Sequence, residues 1–137
     1  MEDSLLLDHP VAGTLDDVLG FELLEASADG ARARFQVRDR VCQPAGIVHG
    51  GAYAALAESM VSITTNALVA EDGQGALGQA NNTSFLRPVN EGFVSAEAHP
   101  RHRGRATWVW DVEFVDDNGR LCAVSRVTLA LRPAQGG

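Results

Sequence analysis

From Val41 to Ala70 the sequence carries a single charged side chain, Glu58. From about Gly50 to Ala70 this stretch has the spacing of a helix, with Ala52, Ala55, Leu56, Ile63, Ala67 and Leu68 recurring on one face. Such a helix is too apolar to lie on the surface of a small domain. It is also too polar to span a membrane, because Glu58, Asn66 and several Ser and Thr interrupt it. It must therefore be wrapped by the rest of the chain.

The flanking sequence supplies the wrapping. Residues 31–38 alternate, with Ala31, Ala33, Phe35 and Val37 on one side and Arg32, Arg34, Gln36 and Arg38 on the other, as in a half-buried strand. After the helix, Gly73 is placed to terminate it. The remainder reads as strands over 76–87 (stopped by Pro88), 92–99, 105–115 and 120–131. Trp108, Trp110, Val112 and Phe114 share one face and are read as core. Asn118-Gly119 supplies a turn in which positive φ is tolerated. Residues 14–19 suit a short helix capped by Thr14, and the tail 133–137 reads as frayed. The expectation is an α+β fold with one domain over 1–137, one strand before a long central helix and a four-stranded antiparallel meander after it. An apolar share of 45% is ample for the core.

A net charge of −7 argues against sequence-independent nucleic-acid binding. Cys42 and Cys122 have no CxxC spacing and no His-rich partner tract, so no metal site is expected. The acidic N-terminal residues lack the basic region and apolar run of a signal peptide, and the expected location is cytoplasmic, away from membranes.

The residues that suggest chemistry lie in 43–62. Gly50 and Gly51 stand where a loop becomes a helix. Either they permit a sharp turn, or they leave the first helical N–H groups open to polarise a carbonyl and hold an oxyanion. Glu58 is either a member of a solvated stripe with Ser62, Thr65 and Asn66, or a carboxylate raised in pKa by partial burial and used as a base or nucleophile. Ser62, four residues on, shares its face. Gly50 and Glu58 are eight residues apart, hence about 12 Å along one helix axis. That is too far for both to serve one carbonyl, and two antiparallel helices across a two-fold axis would solve the problem. A homodimer with shared sites is expected on that ground.

The segment HGGAYAALAE resembles the signature of the hotdog-fold acyl-CoA thioesterases, which include phenylacetate-pathway enzymes and 4-hydroxybenzoyl-CoA thioesterases. The likeness to the Glu-bearing hydroxybenzoyl branch extends through GQANNTSFLRPVNEG, SAEA, TWVWDV and DDNGRLCAVS, from about Gly20 onward. It implies hydrolysis of an aromatic acyl-CoA, such as 4-hydroxybenzoyl-CoA or a phenylacetyl-type analogue, with no metal or redox cofactor, in a tetramer built from two dimers. By the same resemblance Glu58 is the catalytic carboxylate, Gly50 the carbonyl-polarising donor, and Gln43 a residue near the thioester. Ser62 stands where the relative has Thr, His49 precedes Gly50 and braces the loop, and Arg87 faces CoA phosphates. The basic run Arg101, His102, Arg103 and Arg105 is either a binding site for CoA phosphate or a solvated turn, and its Arg105 replaces a small hydroxyl residue of the relative. Ala134 stands where the relative has another Arg, so the CoA contacts differ. Cys42 is read as inert. A non-catalytic acyl-binding module, or a dehydratase pairing His49 with Glu58 across a dimer interface, is the competing expectation.

Overall fold

The computed structural model describes residues 9–134; the first eight residues and most of the tail discussed above lie outside them. Two helices and six strands follow in the order α1 (Leu15–Leu19), β1 (Glu22–Ser27), β2 (Gly30–Gln36), α2 (Gly50–Val69), β3 (Gln74–Phe85), β4 (Phe93–Arg103), β5 (Thr107–Val115) and β6 (Leu121–Pro133). The strands form one antiparallel sheet in the order β1-β2-β4-β5-β6-β3. The sheet curls around α2, the α+β arrangement expected from the apolar helix.

Helix α2 buries Ala52, Tyr53, Leu56, Ala57, Met60, Val61, Thr64, Thr65 and Val69, a set that returns every three to four residues. They meet Ala31, Ala33 and Phe35 of β2, Val94, Ala96 and Ala98 of β4, and Trp110, Val112 and Phe114 of β5. The tryptophans are core, as read: Trp110 is fully buried, and its indole N–H donates to Thr65 Oγ1 at 2.9 Å. Thr65 therefore belongs to the buried face and not to a solvated stripe with Glu58. Its own hydroxyl donates to the Val61 carbonyl at 2.6 Å, which lets a polar side chain sit in an apolar interior.

Three expectations are corrected. A second strand, β1, precedes the helix. The post-helical strands are not a simple meander: β4, β5 and β6 follow one another, but β3 pairs with β6 at the far edge, from Gln74↔Pro133 to Phe85↔Ala123. Thr14 stands at the N-cap of α1, yet its hydroxyl donates to the Val11 carbonyl and makes no cap. The terminators do hold: Gly73 (φ 71°) closes the turn after α2, and Gly119 (φ 75°) donates to the Asp116 carbonyl in the β5–β6 turn.

Two glycines of β3 explain how closely the helix approaches this strand. A Cβ on Gly78 would lie 3.0 Å from Glu58 Oε2, and one on Gly75 would lie 3.3 Å from Asn66 Oδ1. Two asparagines fasten the contact. Asn66 reads both backbone groups of Ala76, at 2.9 and 3.1 Å, and Asn81 donates to the Ala54 carbonyl at 2.9 Å.

Candidate active site

The loop before α2 is held by backbone pairing. Gln43 N–H donates to the Ile47 carbonyl, Val48 N–H to Val89 and His49 N–H to Val41. These bonds deliver Gly50 to the mouth of a cleft of about 390 Å³ lined by Gln43, Ile47, Val48, Gly50, Tyr53, Phe85, Leu86, Arg87 and Pro88.

The helix start distributes its free donors unequally. His49 is the N-cap, and its Nδ1 accepts the Gly51 N–H at 2.8 Å. Gly51 N–H is thus consumed by the cap, and the brace expected of His49 takes this specific form. Ala52 N–H turns back to the His49 carbonyl. Gly50 N–H donates no hydrogen bond among the described residues. It is the open donor at the positive end of a twenty-residue helix, where a carbonyl oxygen carrying partial negative charge is favoured. A Cβ on Gly50 would fall 2.6 Å from the Phe85 ring, so this glycine is needed for close approach.

Gln43 also lines the cleft; its Oε1 accepts the Ala45 N–H at 2.6 Å. Arg87 lines the same cleft and forms no ion pair among the described residues.

Glu58 is not brought into this cleft. It is exposed, against the expectation of partial burial, because its helix face looks past the sheet and over the edge strand β3. Half-buried Ser62 follows on the same face. His49 and Glu58, nine positions apart along α2, are likewise not brought together within one chain. Arg105 lies in the β4–β5 turn at the other end of the sheet. Thr107 pairs with Ala130 there, whereas the cleft adjoins Ala123; seven residues of strand make this separation about 23 Å.

Tyr53 and Phe85 belong to the cleft and were not singled out from the sequence. Tyr53 lies one helical turn after Gly50, and its burial pushes the phenol well above its ordinary pKa. Cys122 lies beneath it in the core; burial raises its thiol, which donates to the Phe114 carbonyl.

A six-stranded antiparallel sheet around one long helix, with an open N–H at the helix start, defines a hotdog-fold acyl-transfer protein. Residues 45–123 match the model of the thioesterase superfamily. The chain belongs to that family. It is 38% identical over 125 residues to the proofreading thioesterase EntH of Cronobacter turicensis, covering 91% of this chain and 90% of that one. A Haemophilus influenzae thioesterase superposes with a TM-score of 0.83 at 35% identity, over 89% of this chain and 85% of that one. The PaaI protein of Escherichia coli, from the phenylacetic acid degradation operon, gives 0.73 at 25% identity, over 88% and 84%. The protein is a thioester hydrolase acting on thioesters of the acyl-CoA type. No helix among the described residues is long and apolar enough to cross a membrane.

Proposed function

We propose that the protein hydrolyses a compact aromatic acyl-CoA, such as 4-hydroxybenzoyl-CoA or a phenylacetyl analogue, in sites shared between two chains of a homodimer, two of which pair as a tetramer. The observation that carries this reading is the split of the chemistry: the open Gly50 N–H faces the cleft, while Glu58 stands exposed eight residues further along the same helix, beside an edge strand. A partner helix running antiparallel would set its Glu58 opposite Gly50. The same two-fold would carry the partner's distal basic turn, with Arg105, toward the cleft holding Arg87.

In such a site the Gly50 N–H polarises the thioester carbonyl and Gln43 sits beside it. The Glu58 carboxylate either takes a proton from the attacking water or attacks the carbonyl itself, with Ser62 placed to orient water. The C–S bond then breaks and CoA leaves as a thiolate, which needs little help from an acid; where Glu58 attacks, water then hydrolyses the acyl–Glu58 anhydride to release the free acid and restore the carboxylate. No metal or redox cofactor is called for. The aromatic preference is supported by the mainly apolar lining and the volume of the cleft. The test is a panel of benzoyl-, 4-hydroxybenzoyl-, phenylacetyl-, hexanoyl- and palmitoyl-CoA followed by CoA release, with sedimentation at assay concentration. Aryl thioesters should give the highest kcat/KM and the active species should be a dimer or larger. Highest efficiency with palmitoyl-CoA, or a fully active monomer, would sink the reading.

A further inference from the structure

Strand β3 closes the sheet at one margin and pairs only with β6. Successive residues of an antiparallel strand turn their backbone groups alternately to one side and the other. Those of β3 that turn away from β6 are open to a further strand, with one exception. Asn66, on α2, accepts the Ala76 N–H through Oδ1 at 2.9 Å and donates through Nδ2 to the Ala76 carbonyl at 3.1 Å. Its amide stands where the next strand would pair. The same Nδ2 donates to the Ser62 carbonyl at 2.8 Å, which ties the side chain to its own helix. The edge that β3 offers to a partner therefore starts at Gly78 and ends at Phe85.

The length of that edge decides how two copies overlap, because a two-fold pairing makes most bonds when it is centred on the free stretch. Leu131 turns its N–H to the Ala106 carbonyl of the β4–β5 turn. By alternation Val124, Arg126 and Thr128 turn theirs to β3, so their partners Ser84, Asn82 and Ala80 face β6, and Asn81, Thr83 and Phe85 face the free edge. Only residues that face the same way can be opposed. With the edge starting at Gly78, Asn82 falls on the two-fold axis, and the partner's Phe85 meets the bulge between Gly78 and Ala80. Were the whole strand open from Gln74, the axis would fall at Ala80, and the partner's Phe85 would lie near Gly75. The two registers differ by four residues, about 13 Å along the strand.

The shorter edge gives the register that completes the site. A Cβ on Gly78 would lie 3.0 Å from Glu58 Oε2, and one on Gly50 would lie 2.6 Å from the Phe85 ring. Setting Gly78 against the partner's Phe85 thus brings Glu58 to the mouth of the partner's cleft, beside its open helix start. In the other register the carboxylate would be about 13 Å out of line.

We infer that Asn66 is a positioning residue: by closing the edge of β3 at Ala76 it sets the register in which two copies pair, and so aligns Glu58 of one chain with Gly50 of the other. The inference rests on the shared-site reading and names the device that aligns the two halves. Asn66 touches no substrate. It stands eight residues past Glu58, about 12 Å further along the helix axis.

The test uses the full chain with one cysteine introduced in turn at the exposed residues Ala80, Asn82 and Ser84. The parent chain is the control for Cys42 and Cys122. Directly opposed residues of this kind have Cα atoms about 4.5 Å apart, within reach of a disulfide, whereas a four-residue offset holds them about 13 Å apart, beyond it. On mild oxidation Asn82→Cys should give a covalent dimer, and Ala80→Cys and Ser84→Cys should give little. With Asn66→Ala added, the preference for position 82 should be lost and cross-linking at position 80 should rise. Asn66→Ala alone should still sediment as a dimer, but its kcat on the best substrate of the acyl-CoA panel should fall about a hundredfold, the cost of a small misplacement of reacting groups. Asn66→Ser, whose hydroxyl is too short to span both groups of Ala76, should act in the same direction and guards against a folding defect in the alanine variant. Cross-linking that favours position 82 with and without Asn66, that favours position 80 with Asn66 present, or that occurs at none of the three, would overturn the role of Asn66. So would an Asn66→Ala dimer with kcat within about twofold of wild type. Each of these leaves the shared site standing, whereas a fully active monomer would overturn the shared site and this inference with it.

Discussion

Replacing Glu58 by Ala should separate catalysis from stability. The side chain is exposed and takes part in no hydrogen bond or ion pair among the described residues. Its nearest constraint is Gly78, where the carboxylate lies against bare backbone. Truncation therefore opens no cavity and strands no partner. Alanine also has the higher helix propensity, by a few tenths of a kcal/mol. The net change in stability should stay within about 0.5 kcal/mol. At roughly 2 cal/mol/K per residue of unfolding entropy, that is a shift of about 2 °C in Tm. The rate should behave very differently. A positioned carboxylate acting as base contributes about 10² to 10⁴, so single-turnover CoA release should fall about a thousandfold while substrate affinity is kept. Calorimetry and rapid-quench kinetics on the same preparation measure both. Turnover within tenfold of wild type would remove Glu58 from the mechanism, and a fall of more than about 8 °C in Tm would show that its exposure has been misjudged.

Three further outcomes are expected. Glu58→Ala and Gly50→Val chains, each inactive as homodimers, should recover roughly a quarter of native activity when refolded together. Half of randomly formed dimers are mixed and each holds one intact site; verified mixed dimers as inactive as their parents would place each site within one chain, and the valine variant must first be shown to fold because its side chain displaces Phe85. Thr65→Val should cost about 2 kcal/mol, read by urea denaturation, because it strips the buried Trp110 indole of its acceptor. Arg126→Ala should destabilise slightly at pH 7, the pair being solvent-screened. Hydrogen bonding from Arg126, together with its charge and that of Arg101, holds the Asp111 carboxyl below its ordinary range. A depressed carboxylate pKa stabilises above the unfolded value of about 3.9 and loses that effect as pH falls through the folded value. Urea midpoints of variant and wild type should therefore converge as the pH falls below the ordinary carboxylate range, and a gap that widens on acidification would contradict the ion pair.

Legibility in the sequence followed burial. Helix α2, the alternating β2, the Trp108–Phe114 face and the Gly73 and Gly119 turns were all readable, because each sets an apolar period or a positive φ against its neighbours. Strand β1 was missed because it lies at a sheet edge. Glu22, Leu24 and Glu25 are exposed and Ala26 alone is fully buried, so no alternation marks it. Pairing of β3 with β6 was not legible either. Its residues are exposed except Ala76 and the partly covered Gln74, Gly75 and Thr83, and a polar edge strand carries no record of its neighbour. At the site, Gly50, Gln43 and Arg87 do converge. The capping of Gly51 by His49 needed coordinates, since nothing in the pair of residues says which nitrogen accepts which N–H. The exposure of Glu58 was misread because an isolated carboxylate in an apolar run implies burial only if the rest of one chain covers its face. Tyr53 left one sequence signal, a lone phenol one turn after the glycines, but its burial at 3% exposure is a property of packing.

The bare outer edge of β3 bears on the life of this protein under dilution. Twelve residues at the margin of the sheet offer their outward backbone groups to whatever strand comes next, and Leu77 and Phe85 are about 60% exposed. Edges of this kind recruit neighbours. A strand that meets its own copy across a two-fold axis does so once, then has no edge left, and growth stops at a closed pair rather than continuing into a fibre. Insertions or charge reversals along Gln79–Ser84 would thus act on solubility and on the proposed shared site together, since both depend on the same edge. Their first symptom in a cell would be loss of protein from the supernatant, with the cleft around Gly50 intact in every chain that remained.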